Sequence, residues 1–210
     1  MSARVCTIGY AQTSRGAELI SGNLNQNAGD RMSDNMSLSI RAAVPADIPD
    51  IVHVHGRAFP GFLLTDLGSR FLTMLYAAFI DQEDGILLVA ESSPGAVVGF
   101  LAGTRAPAHF FRALRARRGI AMAFASIPGL VRHPIRIGER LLAAVRYGGD
   151  QPPAIPGYWL LSSLGVEPDH ARSGIGTILV DRFYNMAQEE RAPGIYLLTD
   201  LKDKIGRAHV

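Results

Sequence analysis

The chain has 210 residues, 48% of them hydrophobic, and a formal net charge of +2. That length suits one domain with an appendage and supplies a sizeable core, and so balanced a charge names no polyanionic partner such as nucleic acid. The single cysteine, Cys6, excludes an intrachain disulfide framework and a cysteine-based zinc site, so no metal is expected, and it fits a reducing, cytoplasmic setting.

No apolar run reaches the ~18–20 residues of a membrane helix, and the N-terminus has no apolar signal core. Residues 1–36 are rich in Gly, Ser, Asn and Gln and lack periodicity. They are expected to be disordered or a non-native extension, with Met36 as the natural start. Organised pattern then runs over 37–204. Residues 37–44 alternate as a first strand. Asp47 is expected to cap a helix, with Pro49 tolerated in its first turn. Ile48, Ile51, Val52 and His55 share a face of that helix. His53 and His55 are candidate site residues, and ordinary surface or packing positions are the competing reading.

Residues 59–65, Phe59-Pro-Gly-Phe62-Leu-Leu64-Thr65, interrupt the helical spacing as an apolar, aromatic loop. It reads equally as core packing or as the wall of an acceptor pocket formed by Phe59, Phe62, Leu64 and Thr65. Phe71, Leu72, Leu75, Ala78 and Phe79 mark a second helix. Residues 86–91 and 96–104 form an expected antiparallel hairpin around Ser92-Ser-Pro-Gly95.

The stretch 105–156 is an expected insertion of two or three short, basic, amphipathic helices. Eight arginines between Arg112 and Arg146 face almost no acids there. Three readings stand side by side: a solvated helical insertion, attraction for an anionic ligand, or contact of 105–146 with an acidic membrane surface. A nucleic-acid reading motif is absent.

Residues 158–166 read as a strand, and 167–173 as a polar turn. From Gly174 onward Ile175, Ile178, Leu179, Phe183 and Met186 recur at helical steps. A strand, a glycine-bearing loop and a helix start make an anion cradle. The first backbone N–H groups of a helix lack intrahelical partners, and the helix dipole adds positive potential. Gly174 and Gly176 carry no Cβ and admit a phosphate close to the backbone. A dinucleotide fingerprint would need a third glycine where Leu179 stands, and a Walker loop would need Gly-Lys-Ser/Thr. Residues 195–199 form another strand. The final Ile205-Gly-Arg-Ala-His-Val210 translates ATC-GGA-AGA-GCA-CAC-GTC, a common sequencing adapter whose frame continues into a stop. Residues 205–210 are therefore expected to be an adapter scar, with the native chain continuing past Lys204.

The order strand, two helices, hairpin, strand, loop, helix, strand, with Leu164-Gly-Val-Glu-Pro-Asp-His-Ala-Arg-Ser-Gly-Ile-Gly-Thr177 after the fourth strand, resembles the GNAT N-acetyltransferase superfamily over residues 37–201. The resemblance implies an α/β (α+β) fold with a central mixed, mostly antiparallel sheet, in a C-terminally truncated member. The family writes its loop Gln/Arg-x-x-Gly-x-Gly/Ala. The glycines match Gly174 and Gly176, while the Gln/Arg place is Ala171, with Arg172 one position on. The aromatic loop and basic insertion are similar to those of a bacterial subgroup, which implies an amino-sugar acceptor.

The resemblance further implies acetyl-CoA as co-substrate and a small primary amine as acceptor. Ala171, Arg172, Ser173, Gly174, Ile175, Gly176 and Thr177 would hold the pyrophosphate. Leu164, Gly165 and Val166 would pair with the pantetheine arm as an added strand would. The N–H near Leu164 would polarise the thioester carbonyl. An amine whose pKa is roughly 10 must shed a proton before it attacks. The fourth strand offers no carboxylate. Ser162 and Ser163 are candidates to order a water, with ordinary hydrogen bonding of strand serines as the competing and commoner reading, and Tyr158 and Asp200 are weaker options. The family's proton-donating Tyr would lie beyond Lys204. A non-catalytic acyl-CoA-binding or regulatory module, and a protein N-acetyltransferase, are the alternatives.

Overall fold

The structure is a computed structural model that describes residues 4–8, 38–92, 95–132, 134 and 155–199, with residues 4–8, 198 and 199 described as backbone only. In chain order the elements are β1 (Arg4–Ile8), β2 (Ser39–Ala42), α1 (Ile48–Ala58), α2 (Leu63–Leu67), α3 (Ser69–Asp81), β3 (Gly85–Glu91), β4 (Val97–Thr104), α4 (Pro107–Arg132), β5 (Trp159–Val166), α5 (Ile175–Glu189) and β6 (Ile195–Thr199). Six strands make one sheet in the order β1-β6-β5-β4-β3-β2. All neighbours are antiparallel except β5 and β6. This is the mixed, mostly antiparallel sheet expected from the sequence.

Two apolar layers cover the sheet. On one face Ile51, Val54, Tyr76, Phe79, Val89 and Phe100 join α1 and α3 to β3 and β4, and Phe110 and Leu114 of α4 extend that layer. On the other, Leu88, Leu101, Trp159, Leu179 and Phe183 bury α5 against β3, β4 and β5. Side chains alternate along a strand, so Phe100 and Leu101 serve opposite layers. Gly103 lets α5 come this close, since a Cβ there would sit 2.5 Å from the Phe183 ring.

Four expectations are corrected. Within 1–36, read as unstructured, Arg4–Ile8 pairs antiparallel with β6 at the sheet edge. Asp47 does not cap α1 through its side chain. It turns back instead, accepting from the Val44 N–H at 2.8 Å and from Arg41 Nη1 at 2.7 Å, while Arg41 Nε donates to Glu91. Leu64 and Thr65 belong to the short helix α2, so the aromatic turn is residues 59–62. And residues 107–132, expected as short helices, form one helix of 26 residues that carries Pro128 inside it.

Along α4, Ile120, Phe124, Ile127 and Val131 lie exposed at steps of four, three and four, on the side opposite the buried Leu114, Met122 and Gly129. Five arginines and no acid share that helix. No helix among the described residues is long and apolar enough to cross a membrane. The remainder of the basic insertion, residues 200–210 with Asp200 and the expected adapter scar, and Met36 lie outside the described residues.

Candidate active site

The site is organised by β5 parting from β6. Their parallel pairing covers Trp159↔Ile195, Leu160↔Tyr196 and Leu161↔Leu197. Beyond it β5 continues to Val166 and β6 to Thr199. On its other edge β5 stays paired with β4 as far as Val166↔Gly99. The parting coincides with an irregularity in β5. Ala102 faces Ser163 and Gly103 faces Leu161, leaving Ser162 as an extra residue. Such a bulge bends a strand and increases its local twist.

Beyond Leu161, alternate backbone groups of β5 point at the gap rather than at a neighbouring strand. Exposure follows: Trp159, Leu160 and Leu161 are buried, Ser162 is exposed, and Ser163, Leu164 and Val166 are half-buried. Leu164 and Val166 belong to the α5 side of the sheet. Gly165 lies under Phe100, where a Cβ would meet the ring at 2.5 Å. Ser163, opposite Ala102, therefore faces the α1–α3 side.

At the end of β5 the chain turns through a short 3-10 segment, Pro168–His170. Ala171 is extended, Arg172 takes φ 65°, and Gly174 takes φ 84° directly before α5. The turn is tied internally. The Glu167 N–H donates to Val98 O at 2.8 Å, the Ala171 N–H to Pro168 O at 3.1 Å, and Ser173 Oγ to His170 O at 2.6 Å. The first helical bond is Ile178 N–H to Gly174 O at 3.1 Å. Among the described residues, no backbone carbonyl outside the regular elements accepts from the N–H groups of Arg172, Gly174, Ile175, Gly176 or Thr177.

These donors sit at the positive end of a 15-residue helix, beside the open part of β5. A Cβ on Gly176 would lie 3.8 Å from Leu164 and from Val166, ordinary contact distances. Packing within the protein thus does not require a glycine there. Space beside N–H groups without a backbone acceptor at a helix start is what an anion such as a phosphate needs. Gly174 is different, because its positive φ favours glycine whatever binds.

Two polar links approach the gap from α1, and neither was visible in the sequence. Arg57 lies with Nη1 2.7 Å from Glu167 Oε1 and donates through Nη2 to Asp169 Oδ2 at 3.2 Å, tying the end of α1 to the loop. Deeper, His55 Nδ1 and Tyr76 Oη are 2.6 Å apart, with His55 3% exposed and Tyr76 0%. Ser163 lies close enough to Tyr76 that its hydroxyl partly offsets the effect of burial on the Tyr76 pKa. His55 packs on Phe59 and Phe100, and its Nε2 is buried without a partner among the described residues. Burial lowers the His55 pKa to about 4 and raises that of Tyr76.

His55 thus carries a pH consequence. Its folded pKa is depressed below the unfolded value of roughly 6.5, so its contribution to stability is complete above that pH and is lost as pH falls toward 4. A loss on the order of 3 kcal/mol is expected across that window. Urea unfolding at a series of pH values checks it. A His55→Phe variant should lose this part of the slope, and an unchanged slope would refute the assignment.

Of the remaining sequence candidates, His53 is exposed. Phe59 and Phe62 pack edge to face at 5.4 Å in the turn after α1, Thr65 Oγ1 donates to Phe59 O at 2.7 Å, and Leu64 lies against the α1–α3 layer. These four flank the side of the sheet that Ser163 faces. Tyr158 is half-buried, just before β5.

The profile of the acetyltransferase (GNAT) family matches residues 49–206. The chain belongs to this family. A search of curated proteins found no match. Among solved structures, a GNAT-family acetyltransferase from Brucella melitensis in complex with acetyl-CoA is 19% identical, with a TM-score of 0.47 over 80% of each chain. An aminoglycoside 6'-N-acetyltransferase from Acinetobacter baumannii is 14% identical, covering 80% of this chain and 84% of its own, with a TM-score of 0.49. An aminoglycoside N-acetyltransferase in complex with CoA aligns at a TM-score of 0.52 and 9% identity, over 83% of this chain and 84% of that one. That last likeness bears on the fold of this acetyltransferase.

Proposed function

We propose that the protein is an acetyl-CoA-dependent N-acetyltransferase acting on a primary amine of a small molecule, with an amino sugar as the leading acceptor class. The observation that carries this reading is the set of N–H groups of Arg172, Gly174, Ile175, Gly176 and Thr177, which among the described residues have no backbone acceptor outside the regular elements, beside the unpaired edge of β5. On this reading the loop binds the diphosphate. Residues 164–166 offer backbone groups to the pantetheine arm along the β6 side of β5, and the N–H near Leu164 polarises the thioester carbonyl.

The donor supplies an acetyl group on a thioester. A bond forms from the amine nitrogen to the acetyl carbon, the carbon–sulfur bond breaks, the nitrogen gives up a proton and the thiol leaves with one. The protein holds both reactants at the gap, which replaces a bimolecular encounter by a positioned one. The turn at Phe59 and Phe62 walls the acceptor side.

A second reading, a non-catalytic acyl-CoA-binding module, is favoured by one observation: β5 carries no Asp, Glu or His. Release of free thiol from acetyl-CoA, followed over a panel of amino sugars, aminoglycosides, polyamines and peptide N-termini, separates the two. Amine-dependent release is expected, strongest with amino sugars. Acetyl-CoA binding without release on any amine would overturn the enzyme in favour of the module, and release with peptide N-termini alone would make it a protein N-acetyltransferase.

A further inference from the structure

Among the described residues, β5 presents hydroxyls but no carboxylate at the gap, and one of those hydroxyls lies beside a buried tyrosine. Ser163 faces the α1–α3 side, is half-buried, and sits two residues past the last β5–β6 pair. Behind it Tyr76 is fully buried between Phe79 and Phe100, with ring centroids 6.4 and 5.2 Å away. Behind Tyr76 stands His55 at 2.6 Å. A buried polar pair in an apolar layer costs stability unless it is satisfied, and the half-buried Ser163 beside the bulge is the hydroxyl next to this pair.

We propose that Ser163 is the residue that receives the acceptor amine, and that Tyr76 and His55 are positioning residues that hold its hydroxyl at the floor of the gap. The inference rests on the transferase reading above and names the acceptor side of that same site. It does not depend on which way the hydrogen bonds run. A serine hydroxyl has one donor and two lone pairs. If it donates to Tyr76, both lone pairs remain for the amine; if it accepts from Tyr76, one remains. In either case an N–H of the neutral amine has an oxygen to donate to, which turns the nitrogen lone pair toward the thioester. Burial keeps His55 neutral near pH 7, so it orients Tyr76 and takes no proton from the substrate.

The test is a two-residue cycle on the full chain, with Ser163→Ala, Tyr76→Phe and the double variant assayed with the best amine of the panel. Ser163→Ala should lower kcat/KM for the amine about tenfold or more, the factor one such hydrogen bond supplies. The acetyl-CoA Kd, measured by calorimetry, should stay within about twofold, and Ser163→Thr should restore part of the loss. Tyr76→Phe should cost roughly three- to tenfold alone and nothing further in the Ser163→Ala background, because it acts through that hydroxyl. Unchanged kcat/KM in Ser163→Ala, multiplying effects in the double variant, or a parallel loss of acetyl-CoA affinity each overturn the proposal. If the unmodified protein releases no thiol with any amine, the transferase reading falls and this assignment with it; an active protein indifferent to Ser163→Ala overturns the assignment alone. Should Tyr76→Phe fold poorly, the half-buried Ser163→Ala and Ser163→Thr pair still decides it.

Discussion

Gly176→Leu is expected to raise the acetyl-CoA Kd by about a hundredfold or more while leaving Tm unchanged or slightly higher. The opposite signs follow from geometry. The Cβ position meets only Leu164 and Val166, at 3.8 Å, so the protein has room for a side chain at its outset. Leucine is also a better helix former than glycine, by up to ~1 kcal/mol in a helix interior and less in the first turn. On the proposed reading, the space it would enter is where the diphosphate meets the N–H groups of Ile175, Gly176 and Thr177. Losing two charge-assisted hydrogen bonds of ~1.5–3 kcal/mol each accounts for the predicted affinity change. Calorimetric titration beside a thermal melt reads both quantities. A stable variant that binds acetyl-CoA as tightly as the original would show that the phosphates lie elsewhere. A variant that loses affinity only in proportion to a lower Tm would show that Gly176 is there for packing.

This part of the site was legible because it is local. Strand, turn and helix start occupy residues 159–177, and each leaves a mark on its own segment: a run of apolar residues, Pro168, two glycines, then helical spacing. Gly174 at φ 84° is the kind of position a glycine in a turn announces. The rest of the site depends on contacts between distant segments. Nothing in residues 159–166 says that β6, some thirty residues later, pairs with three of them and then departs, or that Ser162 is the extra residue of a bulge. His55 was a candidate, yet its partner Tyr76 lies 21 positions away, and periodicity alone says only that both sit on buried helix faces. Arg57 reaches Asp169 across 112 positions.

The misread elements have the same origin. Gly119, Pro128 and Gly129 are local helix breakers, yet α4 runs through all three. Proline removes one backbone hydrogen bond. Gly129 is needed where the helix meets α2, since a Cβ there would lie 2.1 Å from Asp66 O. Tertiary contact outweighs local propensity at that point. Asp47 in turn had the right residue type for a cap, and Arg41 claimed its carboxylate.

The largest stability effect is expected at Phe183. Phe183→Ala should cost about 3–5 kcal/mol, the usual range for emptying a buried aromatic site, and lower Tm by roughly 10 °C at 2–4 °C per kcal/mol for a chain of this size. The ring is fully buried, packs at 5.5 Å on Trp159, and covers the Cα of Gly103. With Ile175 and Leu179 it seats α5 on β4 and β5 and so aims the helix N-terminus at the gap. Ile178→Ala, on the same helix but 44% exposed, should cost well under 1 kcal/mol. A comparable loss at both positions would mean that α5 is held by something other than the Phe183 layer. The pairing with Gly103 supplies an internal check. Gly103→Ala alone should be destabilising, because its Cβ would fall 2.5 Å from the ring and 2.9 Å from Leu160 O, and only the first contact is relieved when the ring is removed. Combined with Phe183→Ala, the same methyl would occupy part of the emptied space, so the double variant should be more stable than the sum of the two losses predicts. Additive losses in chemical denaturation would show that the two residues do not share a cavity, and the account of how α5 is brought against the sheet would fail with them.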